Sequence, residues 1–174
     1  FGGITVRYDL WKPIICAVNG WAMGGGLETA LACDIIVAAE HARFGLPEPK
    51  RGLVAGVGGV HRLVRQVPLK VAMGMLLTGD WIDAKEALRV GLVNEVVPQS
   101  DLMACAERWA ARIMACAPLA VRGCKEAAML GLELPLETAI IRPYENVSAL
   151  MASEDSKEGP RAFAEKREPV WKGA

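Results

Sequence analysis

The 174-residue sequence has no net charge, no long apolar run and no recognisable targeting segment, and each absence excludes a class of protein. Twenty basic and twenty acidic side chains cancel, so no overall field attracts the chain to nucleic acid or to an anionic membrane. No apolar stretch reaches the roughly 18 residues that a transmembrane helix needs, and the first residues lack the features of a signal peptide. We therefore expect a soluble globular protein.

Metal ligands and paired thiols are also scarce. The five cysteines form no CxxC pair and are odd in number, so they are predicted to be free thiols in a reducing cytoplasm. The two histidines, His41 and His61, have no second ligand at helical or hairpin spacing, which excludes a zinc site and a Cys–His nucleophile. We expect both histidines to be structural or surface residues, and no metal to be bound.

Strand and helix signals alternate over residues 1–98. Apolar, β-branched runs at 14–18 and 34–39 predict buried strands, and between them GGGLETALAC at 24–33 predicts a helix that starts at a glycine turn. The alternation continues with a strand-and-turn segment, three helices and a strand, at 42–53, 56–67, 69–77, 83–90 and 92–96. This order indicates an α/β domain, which we place at 1–98.

After Pro98 the strand signals stop and long, Ala-rich helical stretches follow. Four helices are predicted, at 102–116, 119–130, 136–151 and 155–167. Their apolar faces exceed those of a lone helical hairpin, so we expect the region 99–174 to pack on the first region and on other subunits.

The glycine turn at Gly24–Gly26 is the first candidate for chemistry. A helix that begins with glycines offers backbone N–H groups without intrahelical partners to a closely approaching ligand, which suits an oxyanion site. Glu28 follows Gly25 by almost one helical turn, so its carboxylate should project from a similar face, near the positive end of the helix dipole. Equally, Glu28 could be an ordinary first-turn charge that complements the dipole.

Glu48 is the second candidate, because it lies between Pro47 and Pro49 just after apolar residues. Proline stiffens such a loop, and apolar surroundings raise the pKa of a carboxyl group. The spacing therefore favours Glu48 as an acid beside Glu28 as a base, since two carboxyls in different environments divide these roles. The alternative is that Glu48 is a solvated loop residue.

A long part of the sequence resembles the crotonase (enoyl-CoA hydratase/isomerase) family. The resemblance is carried by KPIICAVNGWAMGGGLETALACDIIVAAEHARFGLPEPKRGLVAGVGG, then by LTGDWIDAKEALRVGLVNEVVP, and near the end by EGPRAFAEKREPVWKG. It implies a spiral of β-β-α turns followed by a C-terminal α-helical trimerisation region. It also implies a hydratase that adds water to a 2-enoyl-CoA in fatty acid beta-oxidation or related acyl-CoA catabolism, without a cofactor other than the coenzyme A of its substrate.

The resemblance also assigns roles to individual residues. The amide of Gly25, next to Gly24, is one of two N–H groups that polarise the thioester carbonyl, while Glu28 and Glu48 hold the water and transfer protons. Near the C-terminus, Phe163 and Lys166 are implied to reach the adenine and phosphates of coenzyme A on a neighbouring subunit of a trimer or hexamer. Trp21 and Leu27 stand where the family varies and are candidates to shape the acyl pocket.

Several alternatives remain at this point. Within the family, a Δ3,Δ2-enoyl-CoA isomerase commonly works with the second glutamate alone, and other acyl-CoA dehydratases keep the same pair of glutamates. A non-catalytic, crotonase-like assembly subunit is a further alternative, which the presence of both glutamates disfavours. The family's N-terminal stretch, with its second oxyanion N–H, is not seen in these 174 residues. We therefore expect a preceding segment that supplies it.

Overall fold

The computed structural model describes residues 2–173, which form two compact units. The first unit contains residues 2–9 and 14–109, and the second contains residues 10–13 and 110–173. The first unit is built, in chain order, from β1 (Ile15–Val18), β2 (Trp21–Met23), α1 (Gly25–Leu31), β3 (Ile35–Ala39), β4 (Arg43–Gly45), a 3-10 helix (Glu48–Arg51), α2 (Gly59–Gln66), α3 (Leu69–Thr78), β5 (Trp81–Asp83), α4 (Ala84–Arg89), β6 (Glu95–Val97), a 3-10 helix (Gln99–Asp101) and the beginning of α5 (Leu102–Met114).

Two small sheets organise the first unit. One has the order β1-β3-β6 and is parallel throughout, with Ile15 opposite Ile35 and Val37 opposite Glu95. The other has the order β2-β4-β5, in which β2 and β4 are parallel and β5 is antiparallel to β4. The chain thus passes from a strand of one sheet to a strand of the other and then into a helix, which is the expected β-β-α turn.

The central strand β3 is apolar on both faces because both faces are covered. Ile36 and Ala38 belong to the main core, whereas Val37 and Ala39 pack against Leu102 and other apolar residues of α5. The main core also receives Leu27 and Leu31 from α1, and Ala22 and Phe44 from the second sheet. Full burial of a Leu or Phe side chain contributes roughly 1.5–3 kcal/mol, so this core holds α1 firmly against both sheets.

The second unit is helical beyond residues 10–13. It contains the end of α5, then α6 (Pro118–Gly131), α7 (Leu136–Ile141), α8 (Glu145–Ala152) and α9 (Asp155–Glu165). Buried Glu126 on α6 accepts hydrogen bonds from the backbone N–H groups of Glu145 and Asn146, which caps the start of α8. Gly123 brings α6 close to Val147, since a Cβ there would lie 3.1 Å from its Cγ2 atom.

The prediction of a single helix over 136–151 is wrong. The segment forms α7 and α8, and Arg142–Tyr144 between them is extended at Arg142 and Tyr144. Pro143 explains the break, because proline disfavours helical backbone in the residue before it and donates no N–H. The other three predicted helices of this region are present with ends shifted by a few residues.

Within the first unit, the predicted strands at 14–18 and 34–39 and the helices near 24, 59, 69 and 83 are found. The last strand begins at Glu95 instead of Leu92, and Leu92 and Val93 are buried in the turn that precedes it. Strands β2 and β5 were not predicted, since three residues are too few to show an alternating pattern. The compact units divide the chain after residue 109, and the predicted domain boundary after residue 98 stays a prediction.

The histidines and cysteines have ordinary environments. His41 and His61 are exposed, as predicted, and one ring nitrogen of His41 lies 3.0 Å from the carbonyl oxygen of Asn19. Among the free cysteines, Cys105 is buried, whereas Cys116 and Cys124 are exposed. Within residues 2–173, no helix is both long enough and apolar enough to cross a membrane.

Candidate active site

The candidate site is built around the start of α1. Gly24 precedes the helix with φ 53° and ψ −123°, a backbone conformation that residues with a Cβ rarely adopt. Its N–H donates to the carbonyl of Gly45 at 2.9 Å, and its carbonyl accepts from the N–H of Glu28 at 3.0 Å. These two bonds fix the turn. Gly25 is the first helical residue, so its N–H has no acceptor within α1 and is available to a ligand.

Glu28 is buried, with 3% of its surface exposed, and it is held by a second helix. Its Oε1 accepts a hydrogen bond of 2.9 Å from the N–H of Gly59, the first residue of α2. A Cβ on Gly59 would lie 3.1 Å from both Cγ and Oε1 of Glu28, so only glycine allows this close approach without a shift. Among residues 2–173, the other oxygen, Oε2, has no hydrogen-bond partner.

Glu48 approaches the same turn from the opposite direction in sequence. It is the first residue of the 3-10 helix that follows β4, and its Oε1 would lie only 2.8 Å from a Cβ on Gly24. Its Oε2 is buried and has no hydrogen-bond partner among the described residues. A buried carboxylate oxygen without a donor is costly, and such groups are commonly kept for a ligand.

The three predicted elements of the site therefore come together in the first unit. Glu48 lies against Gly24, the N–H of Glu28 donates to the carbonyl of Gly24, and the Gly25 amide belongs to the same turn. Each carboxylate keeps one oxygen, Oε2, that the described protein groups do not occupy. Two carboxylate oxygens and one free amide can hold a water molecule and polarise a carbonyl oxygen, respectively.

Gly59 is a residue of the candidate site that the sequence argument missed, because its N–H holds Glu28. The glycine cluster at GVGG was recognised only as the start of a helix, although glycine at such a start also permits close approach of a side chain. Leu27 is fully buried in the main core and packs α1 in place, whereas Trp21 is 69% exposed. Of these two candidates, only Trp21 has an exposed side chain.

Phe163 and Lys166 lie in the second unit, at the end of α9. Phe163 is 87% exposed, and Lys166 follows the helix with φ 54°. Nearby, buried Glu158 accepts hydrogen bonds from Arg161, Arg167 and the N–H of Val170, and these bonds hold its pKa well below the ordinary range. These contacts anchor the segment that follows α9. The predicted roles of Phe163 and Lys166 in coenzyme A binding stay predictions.

The site contains carboxylates and amides but no metal-ligand cluster. No group of three His, Cys, Asp or Glu side chains suited to a metal ion occurs within residues 2–173. The carboxylates of Glu28 and Glu48 can transfer protons, and the backbone amide of Gly25 can donate a hydrogen bond.

Comparison with known proteins gives this geometry a family context. A model of the family described as "Enoyl-CoA hydratase/isomerase" matches residues 4–174. The (E)-benzylidenesuccinyl-CoA hydratase of Thauera aromatica is 50% identical over 171 residues, which are 98% of this chain and 67% of that protein. The carnitinyl-CoA dehydratase of Salmonella typhimurium is 48% identical over 180 residues, covering 99% of this chain and 68% of the other.

A solved structure agrees with the sequence relatives. The crystal structure of an enoyl-CoA hydratase from Mycobacterium tuberculosis superimposes with a TM-score of 0.93 at 42% identity, covering 99% of this chain and 68% of that one. The chain thus has the crotonase fold. Its relatives are enzymes named as hydratases and dehydratases of acyl-CoA compounds. It belongs to the enoyl-CoA hydratase/isomerase family and spans about two thirds of the length of these relatives.

Proposed function

We propose that the protein adds water across the 2,3 double bond of a 2-enoyl-CoA thioester, with Glu28 and Glu48 as the acid/base pair. The observation that carries the proposal is the pair of unoccupied carboxylate oxygens beside the free amide of Gly25. Membership of the enoyl-CoA hydratase/isomerase family supports the choice of substrate class.

The amide of Gly25 acts on the thioester carbonyl. When water attacks Cβ, electrons move through Cα to the carbonyl oxygen, and an enolate forms. An N–H that points at this oxygen stabilises the developing charge, and removing one such donor typically costs about 2.7–4 kcal/mol of barrier.

The two glutamates divide the proton transfers. One carboxylate takes a proton from the attacking water, whose oxygen forms the new bond to Cβ, and the other carboxyl gives a proton to Cα. The Oε1 atom of Glu28 is occupied by the Gly59 amide, so Oε2 is the oxygen left for the water. The reaction adds one water without a change of oxidation state in any cofactor, so coenzyme A as part of the substrate suffices.

Dehydration is the second candidate, and one relative favours it. The Salmonella typhimurium protein is named a carnitinyl-CoA dehydratase and is 48% identical to this chain. The same two carboxylates serve both directions, since every proton transfer of hydration is reversed in dehydration. The direction in the cell then depends on the substrate supplied, not on a different set of residues.

The test is to replace each glutamate by glutamine and to measure loss of crotonyl-CoA absorbance with the full-length protein. Glu28→Gln and Glu48→Gln should each lower kcat by at least about a hundredfold, the scale of a lost general acid or base. Glu40→Gln is the matched control, because Glu40 is an exposed residue of the same unit at the end of β3.

Circular dichroism should show that all three variants fold. Near-native turnover by either the Glu28 or the Glu48 variant would contradict the paired mechanism.

A further inference from the structure

The outer face of the β2-β4-β5 sheet carries large side chains with no partner in the core. Residues alternate across this sheet, and Ala22, Phe44 and Ile82 face the main core. Trp21, Met23 and Trp81 therefore face the other way, and Trp21 and Trp81 are 69% and 49% exposed. Neighbouring exposed tryptophans form a contiguous apolar patch, and such patches mark binding grooves and interaction surfaces.

A cleft of about 430 Å³ lies on this face. It is lined by Trp21, Met23, Pro47 and Trp81, together with Lys50 and Arg51. Its volume is in the range of pockets that hold small organic groups, and most of its lining is apolar or aromatic.

The two tryptophans are already arranged for ring contacts. Their ring centroids are 5.8 Å apart, and the planes meet at 77°, an edge-to-face pair. The guanidinium of Arg43 lies 5.1 Å from the centre of the Trp81 ring, which helps to keep that ring in place. Trp21 on β2 lies opposite Arg43 on β4, and Trp81 on β5 lies opposite Gly45 on β4.

The cleft begins next to the candidate site. Met23 is followed directly by Gly24, and Pro47 is followed directly by Glu48. Gly24 and Glu48 lie close together, since a Cβ on Gly24 would be 2.8 Å from Oε1 of Glu48, and each directly follows a residue of the cleft lining. The cleft therefore starts one residue before Gly24 on one strand and one residue before Glu48 on the other segment.

We propose that this cleft receives an aromatic ring of the acyl group, so that the preferred substrates are aryl-substituted 2-enoyl-CoA thioesters. The inference rests on the proposed hydration and names its substrate class. An aromatic ring gains edge-to-face contacts from tryptophans and a favourable contact with the methionine sulfur, which a linear alkyl chain does not. The cations Arg43, Lys50 and Arg51 around the cleft can also lie against ring faces.

The charges around the cleft argue for a small ligand over a second copy of the chain. Subunit interfaces are depleted of charged residues, above all lysine, at their centre. Lys50 lies within the lining and is half exposed, with its ammonium 2.5 Å from Asp80. A subunit placed here would bury this ion pair, whereas a ring can use the stem of Lys50 and leave its charge in water.

The experiment compares substrates in the full-length protein. kcat/KM is measured for cinnamoyl-CoA, 5-phenylpent-2-enoyl-CoA and crotonyl-CoA in the unaltered protein and in Trp21→Ala, Trp81→Ala and Trp81→Phe. The ratio of the better aryl substrate to crotonyl-CoA should fall about tenfold in each alanine variant, since one ring contact plus burial is of that size. Trp81→Phe should keep most of the ratio, because phenylalanine also offers a ring.

Leu77→Ala is the matched control, since Leu77 is an exposed apolar residue of the same unit outside the cleft, and its ratio should not change. If an alanine variant fails to fold, binding of cinnamoyl-CoA to Trp81→Phe and Trp21→Phe is measured by calorimetry instead. The affinity of each phenylalanine variant should fall by less than about threefold.

The outcomes separate the two proposals. Turnover of crotonyl-CoA with ratios unchanged in the alanine variants overturns the aryl cleft and leaves hydration standing. Equal loss for aryl and alkyl substrates, or loss of the oligomer by light scattering, overturns it in favour of a structural or subunit-contact role. No turnover of any enoyl-CoA by the unaltered protein overturns hydration itself.

Discussion

Replacing Gly24 by alanine tests the contact between the glycine turn and Glu48 directly. The new Cβ would lie 2.8 Å from Oε1 of Glu48, closer than nonbonded carbon and oxygen atoms come, so the carboxylate must move. The backbone at φ 53° and ψ −123° also disfavours any residue with a Cβ, at a cost of roughly 1–3 kcal/mol. Most domains are stable by about 5–15 kcal/mol, so the variant should still fold.

The effect on catalysis should be larger than the effect on stability. A catalytic group displaced by about 1 Å can lower the rate about a hundredfold, and relief of this contact needs a displacement of that order. Gly24→Ala should therefore lower kcat for crotonyl-CoA hydration by about a hundredfold, with a fall in the melting temperature measured by calorimetry.

Gly26→Ala is the control within the same glycine run. A Cβ on Gly26 meets nothing within 4 Å, its φ is not positive, and alanine favours the helix, so kcat should change by less than about threefold. A Gly24→Ala protein that keeps more than about a third of the native kcat would refute the argument, because Glu48 would then not depend on the turn.

Two further predictions concern the second unit. Glu158→Gln should lower the melting temperature at pH 7. Because folding depresses the pKa of Glu158, the carboxylate stabilises the folded protein fully above its ordinary pKa of 4.5, and this stabilisation is lost as the pH falls below that value. The melting temperatures of the unaltered protein and the variant should therefore converge in acid. Curves that stay parallel down to the lowest pH measured would show that the carboxylate charge is not involved. Phe163→Ala and Lys166→Ala should each raise KM for crotonyl-CoA by roughly tenfold with little change in kcat, as expected for contacts to coenzyme A rather than to the reacting atoms. Light scattering should show a trimer or hexamer, and a stable, active monomer would contradict contacts across subunits.

The chain sequence already determined the local part of the site. A buried strand, three glycines and a run of helix formers place the Gly25 amide and Glu28 within one turn of α1, and this arrangement depends only on residues close in sequence. The alternation of apolar residues likewise predicted the strands β1 and β3 and most of the helices. Pro143 indicates the break between α7 and α8, but the continuous apolar pattern on both sides of it led to the prediction of a single helix.

Tertiary structure alone decided which distant groups meet. Parallel pairing of β2 with β4 puts Met23 opposite Gly45, so the segments that follow these strands converge and Glu48 reaches Gly24. The bond from the Gly59 amide to Glu28 joins residues 31 positions apart, and the Trp21–Trp81 pair depends on β5 returning antiparallel to β4. Such contacts follow from strand register and helix packing, which are set by the whole core and not by any local pattern.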